Sequence, residues 1–334
     1  MRITSREEMR QAINGYQLAR CIQVAAELGI ADLLAGGPQT AATLAERLQV
    51  DLPALLRLLR ALVSAGVFTQ EDDGSFMINE PARHLCRDAE RSLHALAVLA
   101  GQQHYPTWHH LLFSIRSGKV AFDDLHGIDI WQYRTQNAAA GRTFDAAMGA
   151  QLGAGAQAVV DAYDFSRFRR VVDVGGGEGV LLATILRAHP DVQGVLFEQE
   201  QVIPGARDYL AQAGVLERCE LIAGDFRQVV TADGDGFILQ RILHDWDDRQ
   251  AHNILAACRR AMQTGQALLL IERLLPATDP PLEMTLTDLT MLVMNGGRER
   301  TELELRALLH ASGFAVAAVV STTTPLQIIV AHAT

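Results

Sequence analysis

The stretch Val171-Val172-Asp173-Val174-Gly175-Gly176-Gly177-Glu178-Gly179 constrains this chain more than any other. An apolar run ends beside an acid, passes through glycines and continues into the apolar residues 180–188, which have helical character. Residues 171–174 read as a strand buried on both faces, since the run is nearly continuous rather than alternating. A strand that turns through glycine straight into a helix belongs to an open α/β sheet. Glycine lets the backbone turn sharply and lets a ligand come close, while the first N–H groups of the helix attract a carboxylate or phosphate. Nicotinamide and flavin sites use the same device, and a tight turn with no ligand produces the same pattern.

The C-terminal half repeats the alternation. Apolar runs at residues 195–197, 221–223, 237–239 and 268–271 are separated by helical stretches, which predicts parallel strands with helices on both faces. Residues 314–320 and 326–331 are joined only by Ser321-Thr322-Thr323-Thr324-Pro325. That link is too short for a parallel crossover and predicts an antiparallel hairpin at one edge.

In such sheets ligands bind outside the carboxyl ends of the strands. Glu198 ends the second strand, about 20 residues past the glycines, where an acid can bind ribose hydroxyls. The third strand ends in Gly224-Asp225-Phe226, an acceptor for an adenine amino group and an apolar cover for its face. Each alone is compatible with a solvated strand end; three in succession point to a nucleoside. The glycines at 175, 176, 177 and 179 depart from the G-x-G-x-x-G spacing of nicotinamide enzymes.

The fourth strand leads into Gln240-Arg241-Ile242-Leu243-His244-Asp245-Trp246, and the fifth ends at Glu272. A histidine just past a strand end faces the same crevice and can take a proton near neutrality. A carboxylate beside it would orient the ring; Glu272 is placed to do so, and Glu299 is not located by this reading. The bland alternative for His244 is a hydrogen-bonded loop histidine. Asp245 is a candidate N-cap for the following helix. His104, His109 and His110 match no zinc spacing.

The N-terminal half is different. Residues 9–35, with apolar residues at helical spacing, read as one long helix interrupted at Gly29. Thr40 to Leu48 reads as a short helix, and Asp51 with Pro53 starts another. Residues 67–69 and 76–78 flank Asp72-Asp73-Gly74 as a hairpin. Helix, helix and hairpin in that order suggest a winged-helix unit. Residues 84–165 look mostly helical. The expected division is therefore a winged-helix-like domain over 1–90, a helical linker and pocket wall over 91–165, and a nucleoside-binding domain over 166–334.

The chain has 334 residues and a formal net charge of −10, and Lys119 is its single lysine. Its acidity argues against a nucleic-acid partner, although Arg57 and Arg60 lie on the would-be recognition helix. The four cysteines are dispersed, as reduced cytoplasmic thiols would be. Neither a signal peptide nor a membrane span is expected.

Four ordered motifs now carry a resemblance: Asp173-Val174-Gly175-Gly176-Gly177-Glu178-Gly179, Gly224-Asp225-Phe226, Leu243-His244-Asp245-Trp246 and Glu299-Arg300-Thr301. Over almost its whole length the chain resembles the class I S-adenosylmethionine-dependent O-methyltransferases of small molecules, which include plant caffeic acid methyltransferases and bacterial natural-product tailoring enzymes. The resemblance implies a Rossmann-like seven-stranded methyltransferase sheet and an N-terminal winged-helix dimerisation domain, hence a homodimer. It implies S-adenosyl-L-methionine as cofactor, S-adenosyl-L-homocysteine as product, and no metal. Asp173, Gly175, Gly177, Glu198, Asp225, Phe226, Gln240 and Arg241 would lie on the cofactor. His244 would be the base, flanked by Glu272 and Glu299. Asp245, Trp246, Phe144, Met148 and Met291 are candidates for the wall around a small aromatic acceptor from secondary metabolism. Two positions depart from the family pattern: Glu198 replaces the usual aspartate, and Gln240 stands where plant members often carry lysine. Rival readings are N-methylation, which needs a base less, and non-methylating chemistry on the same fold.

Overall fold

A computed structural model describes residues 2–89 and 91–334. The chain divides into two compact units, one of Met1–Pro106 with Asn137–Ala150 and one of Thr107–Gln136 with Gln151–Thr334.

The first unit is helical. Its opening helix, Arg6–Glu27, starts at a capping box in which Ser5 Oγ accepts from the Glu8 N–H and the Glu8 carboxylate accepts from the Ser5 N–H. Gly29, in the left-handed region, separates it from the helix Ile30–Ala35, so the single long helix expected over 9–35 is in fact two. Helices Ala41–Leu48 and Leu52–Ser64 follow, capped by Thr40 and by Asp51, whose carboxylate accepts from the Ala54 N–H at 2.8 Å. Strands β1 (Phe68–Gln70) and β2 (Phe76–Ile78) pair antiparallel. Leu44, Leu59, Leu62, Phe68 and Phe76 are fully buried between them.

The second unit holds a seven-stranded sheet: β3 (Arg170–Val174), β4 (Gln193–Glu198), β5 (Cys219–Ala223), β6 (Gly236–Gln240), β7 (Ala267–Arg273), β8 (Phe314–Ser321) and β9 (Leu326–Ala333). Their spatial order is β5-β4-β3-β6-β7-β9-β8. The first five are parallel; β9 runs antiparallel to both β7 and β8. Alternate residues feed two cores. Val171, Leu196, Ile238 and Leu269 pack with the helices Val180–Ala188 and Ile203–Gln212. Val172, Val195, Phe237 and Leu268 pack with Asp248–Ala261 and Glu302–Ala311. Burial on both faces is why these strands read as unbroken apolar runs.

Strand order reverses at β3, whose neighbours β4 and β6 lie on opposite sides. The chain leaves β3 for β4 in one direction and returns to β6 in the other, so a crevice opens at the carboxyl ends there. Short helices from residues 107–136 belong to this unit; Phe122 and Ile130 pack with Val293 and Met294 of the helix Leu282–Met294. No helix among the described residues is long and apolar enough to cross a membrane.

Candidate active site

The carboxyl ends of β3, β4 and β5 build one side of the crevice. Asp173, near the end of β3, is completely buried, and neither of its carboxylate oxygens has a hydrogen-bond partner among the described residues. Burial, with Glu198 nearby, pushes its pKa up to about 7. A buried carboxylate without a donor is costly and signals a missing partner. Gly176 leaves no alternative residue beside it, because a Cβ there would lie 2.4 Å from Asp173 Oδ2. Gln240, at the end of β6, is also buried with its side-chain nitrogen unpartnered. An orphan anion and an orphan donor at one switch point have the polarity that an amino acid's ammonium and carboxylate require.

Glu198 explains its own departure from aspartate. Its extra methylene lets Oε2 accept from the Gly177 N–H at 3.0 Å while Oε1 accepts from the Gln199 N–H at 2.7 Å. Carboxylate oxygens have further lone pairs to offer a ribose diol. Beyond it a cleft of about 310 Å³ is lined by Gln199, Gln201, Gly224, Asp225 and Arg227. Asp225 is engaged by Arg227 through two bonds of 2.8 and 2.9 Å and by Gln228. Partial burial raises its pKa, but those bonds outweigh burial and hold it below the ordinary aspartate value. Phe226 is buried and packs in the same core as Ile242.

The ends of β6 and β7 build the other side. His244 sits in a single turn of 3-10 helix, Leu243–Asp245, just past β6. Its Nδ1–H donates to Glu299 Oε1 at 3.2 Å, across 55 residues of chain. That bond selects the tautomer whose Nε2 lone pair is free to accept a proton. Glu272 Oε1 accepts from the Leu243 N–H at 3.0 Å and pins the turn. Burial lowers the His244 pKa and so does Arg241; Asp245, the Glu299 hydrogen bond and Glu272 outweigh them, so the net direction is upward. Burial also raises the two glutamates. Glu272 stays above the ordinary value, whereas His244 and Arg241 hold Glu299 down to about 2.

One expectation needs correction, and two side chains are placed more closely. The Arg241 guanidinium lies 3.4 Å from Glu272 Oε2 and 3.1 Å from Glu299 Oε1. Asp245 does not cap the next helix. Asp247 does, accepting from the Gln250 N–H at 2.7 Å, while Asp245 accepts from Asn295 Nδ2 at 2.8 Å. Trp246 is 4% exposed, stacked on Trp131 at 5.6 Å, with the Arg227 guanidinium over its ring. Met291 is half-buried on the helix carrying Asn295 at its end, within 3.9 Å of the Asn295 amide. Phe144 and Met148 lie on the helix Ala138–Ala162, in the part assigned to the first unit.

Sequence reasoning missed Asn295, Arg227 and Asp288, whose carboxylate accepts the Glu299 N–H at 2.7 Å. It also missed the job of Arg300, which donates to the carbonyls of Leu243 and Trp246 and so fastens the histidine turn. The Gly296-Gly297 pair was the available signal. A Cβ on Gly297 would stand 2.1 Å from the His244 carbonyl oxygen, so at this point the two loops approach backbone to backbone.

Comparison with known proteins identifies the family. Residues 108–315 match the family model of the O-methyltransferase domain, and residues 10–87 match that of the O-methyltransferase dimerisation domain. The chain is 41% identical over 322 residues to the phenazine O-methyltransferase PhzM of Lysobacter antibioticus, covering 96% of this chain and 94% of that one. It is 35% identical to a phenazine-1-carboxylate N-methyltransferase of Pseudomonas aeruginosa, covering 96% and 95%. The crystal structure of NcsB1, an O-methyltransferase from neocarzinostatin biosynthesis in complex with S-adenosylmethionine and 2-hydroxy-5-methyl naphthoic acid, superposes with a TM-score of 0.85 at 31% identity, covering 95% of this chain and 96% of that one. With both domain models matched in order and a relative of this identity aligned nearly end to end, the chain belongs to the O-methyltransferase family that carries an N-terminal dimerisation domain.

Proposed function

We propose that this protein transfers a methyl group from S-adenosyl-L-methionine to a hydroxyl of a small aromatic secondary metabolite, with His244 as general base. The observation that carries the reading is the buried His244–Glu299 hydrogen bond at the mouth of the strand-end crevice. Asp173 and Gln240 fit the amino acid part of the cofactor, Glu198 its ribose, and Asp225 with Phe226 its adenine. When bound, the cofactor supplies a methyl group activated by a sulfonium.

The remaining chemistry belongs to the chain. A phenol has a pKa of about 10, so little phenolate exists near neutrality. His244 Nε2 takes the hydroxyl proton as the oxygen attacks, an effect worth typically about 10²–10⁴-fold. Glu299 holds the ring in the accepting tautomer and stabilises the imidazolium. Glu272 fixes the turn through the Leu243 N–H. Asp245 and Met291 contribute to the wall, together with the helices of residues 107–136.

A relative acts on nitrogen, so N-methylation is the second reading. The oriented histidine–glutamate pair favours oxygen, because an amine already presents a lone pair and gains less from a base. The deciding experiment is transfer of labelled methyl to a panel of phenolic, polycyclic and aromatic amine acceptors, with His244→Ala alongside. Transfer to phenols that the variant loses supports the proposal. Transfer only to amines, or full activity in the variant, overturns it. We further place the protein in the cytoplasm as a homodimer built through its N-terminal unit.

A further inference from the structure

Arg241 is a non-glycine residue in the left-handed region, with φ 54°. Side chains rarely adopt this conformation, and it persists where surrounding contacts over-determine it. Those contacts are visible. The Arg241 N–H donates to the Ile271 carbonyl at 2.9 Å. Its Nη atoms reach both oxygens of Glu299, at 3.1 and 3.3 Å, and Glu272 Oε2 at 3.4 Å. The side chains of Glu272 and Glu299 are 3% and 1% exposed, so neither charge is met by water.

The charges around His244 can be counted element by element. Glu272 comes from the end of β7 and Glu299 from the loop before Glu302–Ala311. Asp245, on the histidine's own turn, has Oδ1 3.6 Å from His244 Nε2. From the helix Leu282–Met294, Asp288 is taken up by the Glu299 N–H. Arg300 is spent on two carbonyls and Asp248, Arg298 on Asp248 and Glu304, and Arg273, which lines the same small cavity as His244, on Glu283 at 3.0 Å. Three carboxylates therefore bear on one imidazole, and Arg241 is the fixed positive charge among them. With three acids and no cation, the imidazole would be held as imidazolium, which is no base.

We propose that Arg241 is a positioning residue for proton abstraction: its bidentate hold on Glu299 and contact with Glu272 remove one unit of negative charge from the pair, so that His244 is able to rest as the free base. An arginine suits this task because its charge does not titrate and its fork spans two carboxylate oxygens. The inference rests on His244 being the base.

The test follows the His244 ring by NMR titration, assigned with His244→Gln, together with the pH dependence of single-turnover methyl transfer at saturating cofactor. Three variants are compared: Arg241→Met, Arg241→Lys, and Arg241→Met combined with Glu272→Gln. In Arg241→Met the ring titration and the acid limb of the rate should move up together by about one pH unit. The rate falls by up to about tenfold at pH values well below the wild-type midpoint, and the deficit shrinks as pH rises through it. Lysine should keep most of the wild-type midpoint. The double variant, which restores the charge count, should return it, and it carries the test where the single variant does not fold. An unmoved midpoint in folded protein overturns the proposal, as does a cofactor Kd weakened tenfold with an unchanged pH profile. Activity retained in His244→Ala defeats the base assignment itself, an outcome distinct from an inactive His244→Ala with an unmoved midpoint.

Discussion

Glu299 shows how one buried side chain serves both structure and chemistry. It binds His244 on one side and Arg241 on the other, and its pKa is held down to about 2. The folded value lies below the ordinary carboxylate value, so its contribution to stability is present above that ordinary value and is lost as pH falls toward 2. Glu299→Gln should cost about 3 kcal/mol at neutral pH, because it leaves part of a buried charge pair uncompensated. The difference from wild type should shrink as urea titrations are run from pH 5 down to pH 3; a constant difference would contradict the linkage. For catalysis the sign runs the other way. The His244 pKa is raised, and only its neutral form is a base, so kcat should climb with pH through a midpoint above the free-histidine value of about 6.5. His244 and Glu272 were readable as strand-end residues. Glu299 needed the family resemblance, since nothing local brings residue 299 to residue 244. The ion pairs of Arg241 with the two glutamates could not be read, because a left-handed backbone at a residue with a Cβ leaves no mark in sequence and neither partner is near it in the chain.

At the level of elements, the strands were legible because burial on both faces leaves unbroken apolar runs, and because the glycine turn at 175–179 fixes where β3 ends. A cap was legible where a single candidate existed, as at Asp51. The start of Asp248–Ala261 offered Asp245 and Asp247, and tertiary structure chose between them: Asn295 occupies the first, leaving the second to cap. Loop-to-loop contact was the least legible. The segment 295–299 supports the histidine turn through Gly297, the Arg298 N–H on the His244 carbonyl at 2.9 Å, and Glu299. Gly297→Ala should therefore force the two loops apart. A misplacement near 1 Å can cost about 100-fold in rate, and we expect a loss of that order in kcat with cofactor Kd changed less than about threefold, as the strand ends β3 to β5 are untouched. Calorimetric titration with S-adenosyl-L-homocysteine beside steady-state kinetics separates the two. Equal losses in binding and turnover would place the damage elsewhere.

For the whole molecule, the matched dimerisation domain raises the question of which surface of the first unit is available. On the helix Arg6–Glu27, Met9, Ile13 and Tyr16 are 49%, 67% and 53% exposed. Spacings of four and three residues place them in one stripe along the helix. The same helix buries Ala25 and Ala26 in its own unit, so the stripe is surplus to that core. A two-fold interface uses the same patch twice, so one substitution is felt twice. Burying an isoleucine is worth roughly 1.5–3 kcal/mol, hence about 3–6 kcal/mol for two copies. Each 1.4 kcal/mol corresponds to about tenfold in Kd, so Ile13→Glu should weaken a dimer built on this stripe by about 100-fold or more. Because Ile13 is mostly exposed, the substitution takes little from the unit's own core, and the monomer should retain its helical circular dichroism. Sedimentation velocity across a range of protein concentrations reads the outcome directly. A dimer that persists undiminished in Ile13→Glu would mean that subunits associate through another face of the N-terminal unit.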